Sequence, residues 1–121
     1  MFSHVRVGSN DIAKSRAFYD GALGALGIRG QEMSGLLVYD HDGNRFVVAP
    51  PREGTAVQAN GSTIGFKAPS SEAIDKFHAA GLANHGTDEG APGPRSYVKG
   101  LYAAYLRDPD GNKICALTYI K

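Results

Sequence analysis

Two stretches of this chain follow the same order of residues, and that repetition limits its possible folds more than any other feature. His4-Val5-Arg6-Val7 begins the first copy, a helix-like run around Phe18-Tyr19 follows, and Asp42-Gly43-Asn44-Arg45-Phe46-Val47 closes it. Thr63-Ile64-Gly65-Phe66, Phe77-His78 and Asp110-Gly111-Asn112-Lys113-Ile114-Cys115 take the same places in the second. His4 to Thr63 and Phe18 to Phe77 share one offset (63 − 4 = 59; 77 − 18 = 59). The two DGN turns differ by 110 − 42 = 68, so about nine further residues (68 − 59) enter the second copy. A repeat of this size predicts two packed modules that share a sheet. It also puts His4, Val47, Thr63 and Cys115 at equivalent places around one symmetric site.

At 121 residues the chain makes one domain, 1–121, with a first module over about 1–52 and a second over about 60–121. Half-domains of that length cannot bury separate cores. A formal net charge of +1, with basic residues scattered among acidic ones, gives no surface for tracking phosphates, so no nucleic-acid partner is expected. No apolar run is long enough to cross a membrane. Met1-Phe2-Ser3-His4 enters a strand pattern without a secretory apolar segment, and Cys115 is the single cysteine. Both fit a reducing, cytoplasmic setting.

Residues 2–8 alternate, with Val5 and Val7 on one side and His4 and Arg6 on the other, which predicts a half-buried strand. Asn10 or Asp11 can cap a helix that runs to about Leu26, carries Ile12, Tyr19, Leu23 and Leu26 as its stripe, and stops at Gly27. Residues 28–49 read as three short strands around the Asp42-Gly43-Asn44 turn. After a polar linker over 50–60, a strand covers 62–68 and Pro69-Ser70-Ser71 opens a second helix with Ile74, Phe77 and Ala80. Residues 84–100, rich in Gly and Pro, predict a long loop with a short strand near its start. A hairpin over 101–107 and 113–119 completes the second copy.

This tandem strand-helix-three-strand unit resembles the vicinal oxygen chelate superfamily of glyoxalases, bleomycin-resistance proteins and extradiol dioxygenases. The matching residues are His4-Val5, Asn10-Asp11 through Ala17-Phe18-Tyr19, and Arg107-Asp108-Pro109-Asp110-Gly111-Asn112-Lys113-Ile114. Gly90-Ala91-Pro92-Gly93-Pro94-Arg95 and Tyr102-Ala103-Ala104-Tyr105 resemble a bacterial glyoxalase-like branch. The resemblance implies an α+β fold, two tandem βαβββ modules forming a curled, eight-stranded mixed sheet around a cleft with helices outside, and a homodimer. In its metal-using members four inward-facing positions supply His, Glu or Gln. Here those positions hold His4, Val47, Thr63 and Cys115, of which only His4 is an ordinary ligand. A catalytic metal needs about three protein ligands and an open position. No cofactor is therefore expected, and a divalent metal would have His4 and Cys115 at most.

Several residues stand out for ligand chemistry, each beside a plainer reading. His4 and Cys115 could form an imidazole–thiolate pair for nucleophilic catalysis. Equally, His4 suits a hydrogen-bonded strand edge and Cys115 a small buried apolar residue. Arg6 can meet an anionic ligand or simply reach solvent, and Thr63 offers a hydroxyl or merely a strand-favouring shape. Tyr102 is the tyrosine singled out as a ligand contact, among Tyr39, Tyr102, Tyr105 and Tyr119 on strands. Arg95, Tyr97 and Lys99 fall on the long loop as a candidate lid, whereas His41, His78 and His85 read as surface or packing residues. The expected ligand-binding set is thus His4, Arg6, Val47, Thr63, Tyr102 and Cys115. The expected function is small-molecule binding in the cleft without a standard catalytic metal site. The alternative is a divergent glyoxalase-like lyase or another enzyme of the superfamily, metal-dependent or using His4 and Cys115.

Overall fold

The structure, a computed structural model, describes residues 1–120. Strand β1 (Val5–Gly8) leads into helix α1 (Ile12–Gly24), followed by β2 (Gly30–Met33), β3 (Leu36–His41) and β4 (Asn44–Ala49). The second module repeats the order as β5 (Ile64–Lys67), α2 (Ser71–Ala83), β6 (Thr87–Pro94), β7 (Leu101–Arg107) and β8 (Lys113–Tyr119). The architecture is therefore α+β, built of two βαβββ units, as the repeat predicts.

Local chemistry explains the boundaries. Asp11 caps α1 by accepting from the Lys14 amide, and Ser70 caps α2 by accepting from the Ala73 amide. The β3–β4 hairpin turns on Asp42 and Gly43, with φ of 49° and 78°. Positive φ at both central residues gives the turn whose twist matches the flanking strands, and Gly takes it without strain. In place of the expected loop over 84–100, β6 spans eight residues at the sheet edge. Register shifts beside Gly90 and Gly93 absorb its extra residues, and an edge strand tolerates Pro92 and Pro94. Only residues 95–100 remain as a connection before β7.

Strand pairing differs from the expected eight-stranded sheet. Each module forms its own four-stranded sheet, in the orders β1-β4-β3-β2 and β5-β8-β7-β6, with β1–β4 and β5–β8 parallel. The sheets join through side chains. One apolar core takes Phe18, Tyr19 and Leu23 from α1, Ile74 and Phe77 from α2, Phe46 and Val48 from β4, and Ile114 and Ala116 from β8. Phe46 meets Phe66 of β5 edge to face at 5.2 Å between ring centres. Polar ties cross at the same level: Tyr19 donates to Asp108 at 2.6 Å, and the Asn112 side chain donates to the Gly8 carbonyl at 3.0 Å. The helices touch each other as well, since a Cβ added at Gly81 of α2 would lie 3.2 Å from the Phe18 ring. The helix-covered sides of both modules thus face one another across a shared core.

Candidate functional site

Strand alternation then decides where each candidate points. In β1 and β4, Val5, Val7, Phe46 and Val48 pack into the core, so Arg6 and Val47 occupy the opposite face. Arg6 and Val47 are direct neighbours across that parallel pair. In β5 and β8, Ile64, Phe66, Ile114 and Ala116 face the core, which turns Gly65 and Cys115 outward as direct neighbours. His4 and Thr63 stand one residue ahead of β1 and β5, and both are exposed.

The four repeat-related positions consequently form two half-sites: His4 with Val47 on the first sheet, and Thr63 with Cys115 on the second. The two halves stand on separate sheets that meet through the shared core, not on the one continuous sheet expected from the repeat. His4 and Cys115 belong to different halves, ahead of β1 and on β8. The His4 ring has Ser3 Oγ at 2.8 Å from Nδ1. Cys115 is 3 % exposed, and burial pushes its thiol up, which favours the protonated form over the nucleophilic thiolate.

Tyr102 sits elsewhere. It alternates with Ala103 and Tyr105, packs on the helix side, and donates to Asp75 of α2 at 2.6 Å. Its neighbour Tyr105 takes the outward position beside Cys115. The Tyr105 ring lies under Arg95 at 5.6 Å and Lys113 at 5.5 Å, and its hydroxyl is 3.1 Å from that of Tyr97. Its phenol is pushed up to about 12, first by that hydrogen bond and then by burial. The Arg95 guanidinium also donates to the carbonyls of Gly93 at 2.9 Å and Ala91 at 2.8 Å, which ties the connection to β6. The second outward face thus carries a thiol, a phenol and two cations. The first carries Arg6, whose guanidinium donates to the Pro50 carbonyl at 3.0 Å, and Arg45, paired to Asp40 at 2.7 and 2.8 Å.

Among the four repeat-related positions only His4 is an ordinary metal ligand. Val47 has no donor atom, Thr63 is a neutral hydroxyl, and burial pushes the Cys115 thiol up. Among the described residues no group of three His, Cys, Asp or Glu is placed to hold an ion. Among the described residues no helix is long and apolar enough to cross a membrane.

Sequence reasoning missed a cavity of about 710 Å³ between the modules. Among the expected ligand residues only His4 lines it, alongside His41, Arg45, Phe46, Phe66 and Lys67. It is built from the ends of separate strands, which no local pattern reveals.

The family model of the glyoxalase/bleomycin resistance protein/dioxygenase superfamily matches residues 1–116. A glyoxalase/bleomycin resistance protein from Albidiferax ferrireducens is 52% identical, with 97% of each chain covered and a TM-score of 0.88. A glyoxalase/bleomycin resistance protein/dioxygenase family enzyme from Burkholderia phytofirmans shares the fold at 20% identity, covering 98% of each chain with a TM-score of 0.73. The fosfomycin resistance protein FosX from Mesorhizobium loti does so at 16% identity, over 98% of this chain and 91% of its own, with a TM-score of 0.70. Among proteins of curated function, none matches the chain. From its repeated βαβββ units to this match over nearly its whole length, the chain belongs to the glyoxalase/bleomycin resistance protein/dioxygenase superfamily.

Proposed function

We propose that the protein binds a small organic molecule on its outward strand faces, without a resident catalytic metal, and that a homodimer completes each site. The observation that carries this reading is the division into half-sites. His4, Arg6 and Val47 lie on one outward face, and Thr63, Gly65 and Cys115 on the other. Two copies related by a twofold axis can set the first face of one chain against the second face of the other, making two equal clefts. Each cleft would have a small apolar floor in Val47 and Cys115, left open by the missing side chain at Gly65. Arg6, Thr63, Lys113 and Tyr105 would supply cations and hydroxyls for a polar ligand. The 52%-identical protein is itself described as a glyoxalase/bleomycin resistance protein, which supports ligand binding as the shared theme. The single cysteine supports a cytoplasmic setting.

The test combines metal analysis, sedimentation and thermal shift. Protein purified without chelator should carry no stoichiometric metal, sediment as a dimer, and be stabilised by a ligand from a screen of aldehydes, thiol conjugates and antibiotics. That stabilisation should vanish in both Arg6→Ala and Thr63→Val. Stoichiometric metal lost on His4→Ala would overturn the metal-free reading, and a monomer that binds its ligand equally well would overturn the shared cleft.

A further inference from the structure

The repeat offers an internal control for the cavity between the modules. With the 68-residue offset of the turns, Gly111 corresponds to Gly43 and Arg107 to Tyr39. At the Gly111 end the space is filled by the linker. A Cβ added at Gly111 would lie 2.9 Å from Gln58, and Arg107 donates to the carbonyls of Ala59 and Gly111, both at 2.7 Å. Asn10 holds the same linker through Ala56, at 2.7 and 2.9 Å. At the Gly43 end nothing lies within 4 Å of an added Cβ. There the cavity of about 710 Å³ opens between the β3–β4 hairpin, the approach to β1 and the end of β5. One end of the module interface is closed by the chain itself, and its twin is open.

We propose that this open end is a second ligand site, which meets the outward faces at His4, Arg45 and Lys67 but includes neither Arg6 nor Thr63, for an amphipathic anion: a flat apolar body carrying one carboxylate. Leu26, Ile28, Phe46 and Phe66 line the apolar part, with the two rings edge to face at 5.2 Å, an arrangement that suits a planar guest. Lys67 stands on the wall, exposed, with no ion pair among the described residues. Arg45 on the same wall is already neutralised by its bidentate pair with Asp40. His41 lies 3.4 Å from Asp42, so those two charges offset each other when the imidazole is protonated. His4 adds a ring nitrogen, Nε2, beyond the one beside Ser3. The balance leaves Lys67 as the cation for one carboxylate, with His4 as a hydrogen-bond partner. The volume suits a two-ring molecule, within the range of about 300–1,000 Å³ usual for ligand pockets.

The probe is naphthalene-2-carboxylate, titrated by calorimetry and by amide shifts into the full chain, with 2-naphthylmethanol as its uncharged counterpart. The expected result is one saturable site per chain, with the largest shifts at Leu26, Phe46 and Phe66. Lys67→Ala should weaken the carboxylate about tenfold and leave the alcohol unchanged. Ala68→Trp, which places an indole in the cavity, should abolish both while the protein stays folded by circular dichroism. Arg6→Ala and Thr63→Val, which belong to the outward faces, should bind the probe normally, so the two sites can fail separately. Should Ala68→Trp prevent folding, Ala68→Leu reads the same steric block. Absence of saturable binding, binding that ignores both Lys67→Ala and the bulky variants, or shifts confined to residues around Tyr105 and Cys115 would each overturn the proposal.

Discussion

Single residues in this protein are governed mainly by how deeply their polar atoms are buried. Burial raises the thiol of Cys115 and the phenols of Tyr19 and Tyr39. Tyr19 is raised further by the charge of Asp108 and Tyr39 by its hydrogen bond to Asp20. In each case folding favours the neutral form. The stabilisation is complete below the unfolded pKa and disappears as pH climbs through the folded one. The melting temperature should thus be insensitive to these groups up to about pH 8 and fall progressively above it, as thiols and phenols ionise in the unfolded chain. Thermal melts across that range check the sign, and an unchanged melting temperature at alkaline pH would contradict it. Cys115 should also resist iodoacetamide in the native protein and react promptly in denaturant, as peptide mass spectrometry can read. Rapid native alkylation would show that the thiol is neither covered nor held protonated.

Among elements, α2 is packed closely against both β7 and α1. A Cβ at Gly81 in α2 would strike the Leu106 side chain and crowd the Phe18 ring, and both residues are fully buried. A helical Gly→Ala change normally gains up to about 1 kcal/mol. Overpacking a fixed core costs about 1–3 kcal/mol, so the clash wins at this position. Gly24, at the end of α1, has nothing within 4 Å of an added Cβ. Gly81→Ala should therefore destabilise the protein, whereas Gly24→Ala should leave it unchanged or slightly more stable; urea titration of both variants measures the contrast. Removing the α2 cap by Ser70→Ala should cost about 1 kcal/mol in the same assay. Both helices were legible in the sequence, with the first cap narrowed to Asn10 or Asp11, because a start signal and an apolar stripe are local. The length of β6 was not: its bulges depend on pairing with β7, which Gly and Pro content conceals.

The whole molecule behaves as one unit because both modules end in a single core. Tyr19 of the first module and Asp108 of the second meet there, and Asp108 also accepts from the Asn112 side chain at 2.8 Å and the Asn112 amide at 2.9 Å. Tyr19→Phe removes one donor from that buried carboxylate and should cost about 1–3 kcal/mol. Near- and far-ultraviolet circular dichroism should still report one coincident unfolding transition, since neither module keeps a core alone. Two separated transitions would show that the modules are independent.

The sequence by itself determined the order of strands and helices and the hairpin turns, since each follows from the period of a strand or helix or the chemistry of a turn. It also showed that Val47 offers no donor atom and Thr63 only a neutral hydroxyl, because donor atoms belong to residue types. It misplaced Tyr102, whose alternation is set by Leu106 and Ala104 entering the core. Only the tertiary structure decided which sides of the modules meet. Apolar residues of both sheets and both helices bury the most surface by facing one another, and that packing turns the repeated positions outward into separate halves. The cavity beside Phe46 and Phe66 follows from the same choice, since the linker closes one end of the interface and has no counterpart at the other.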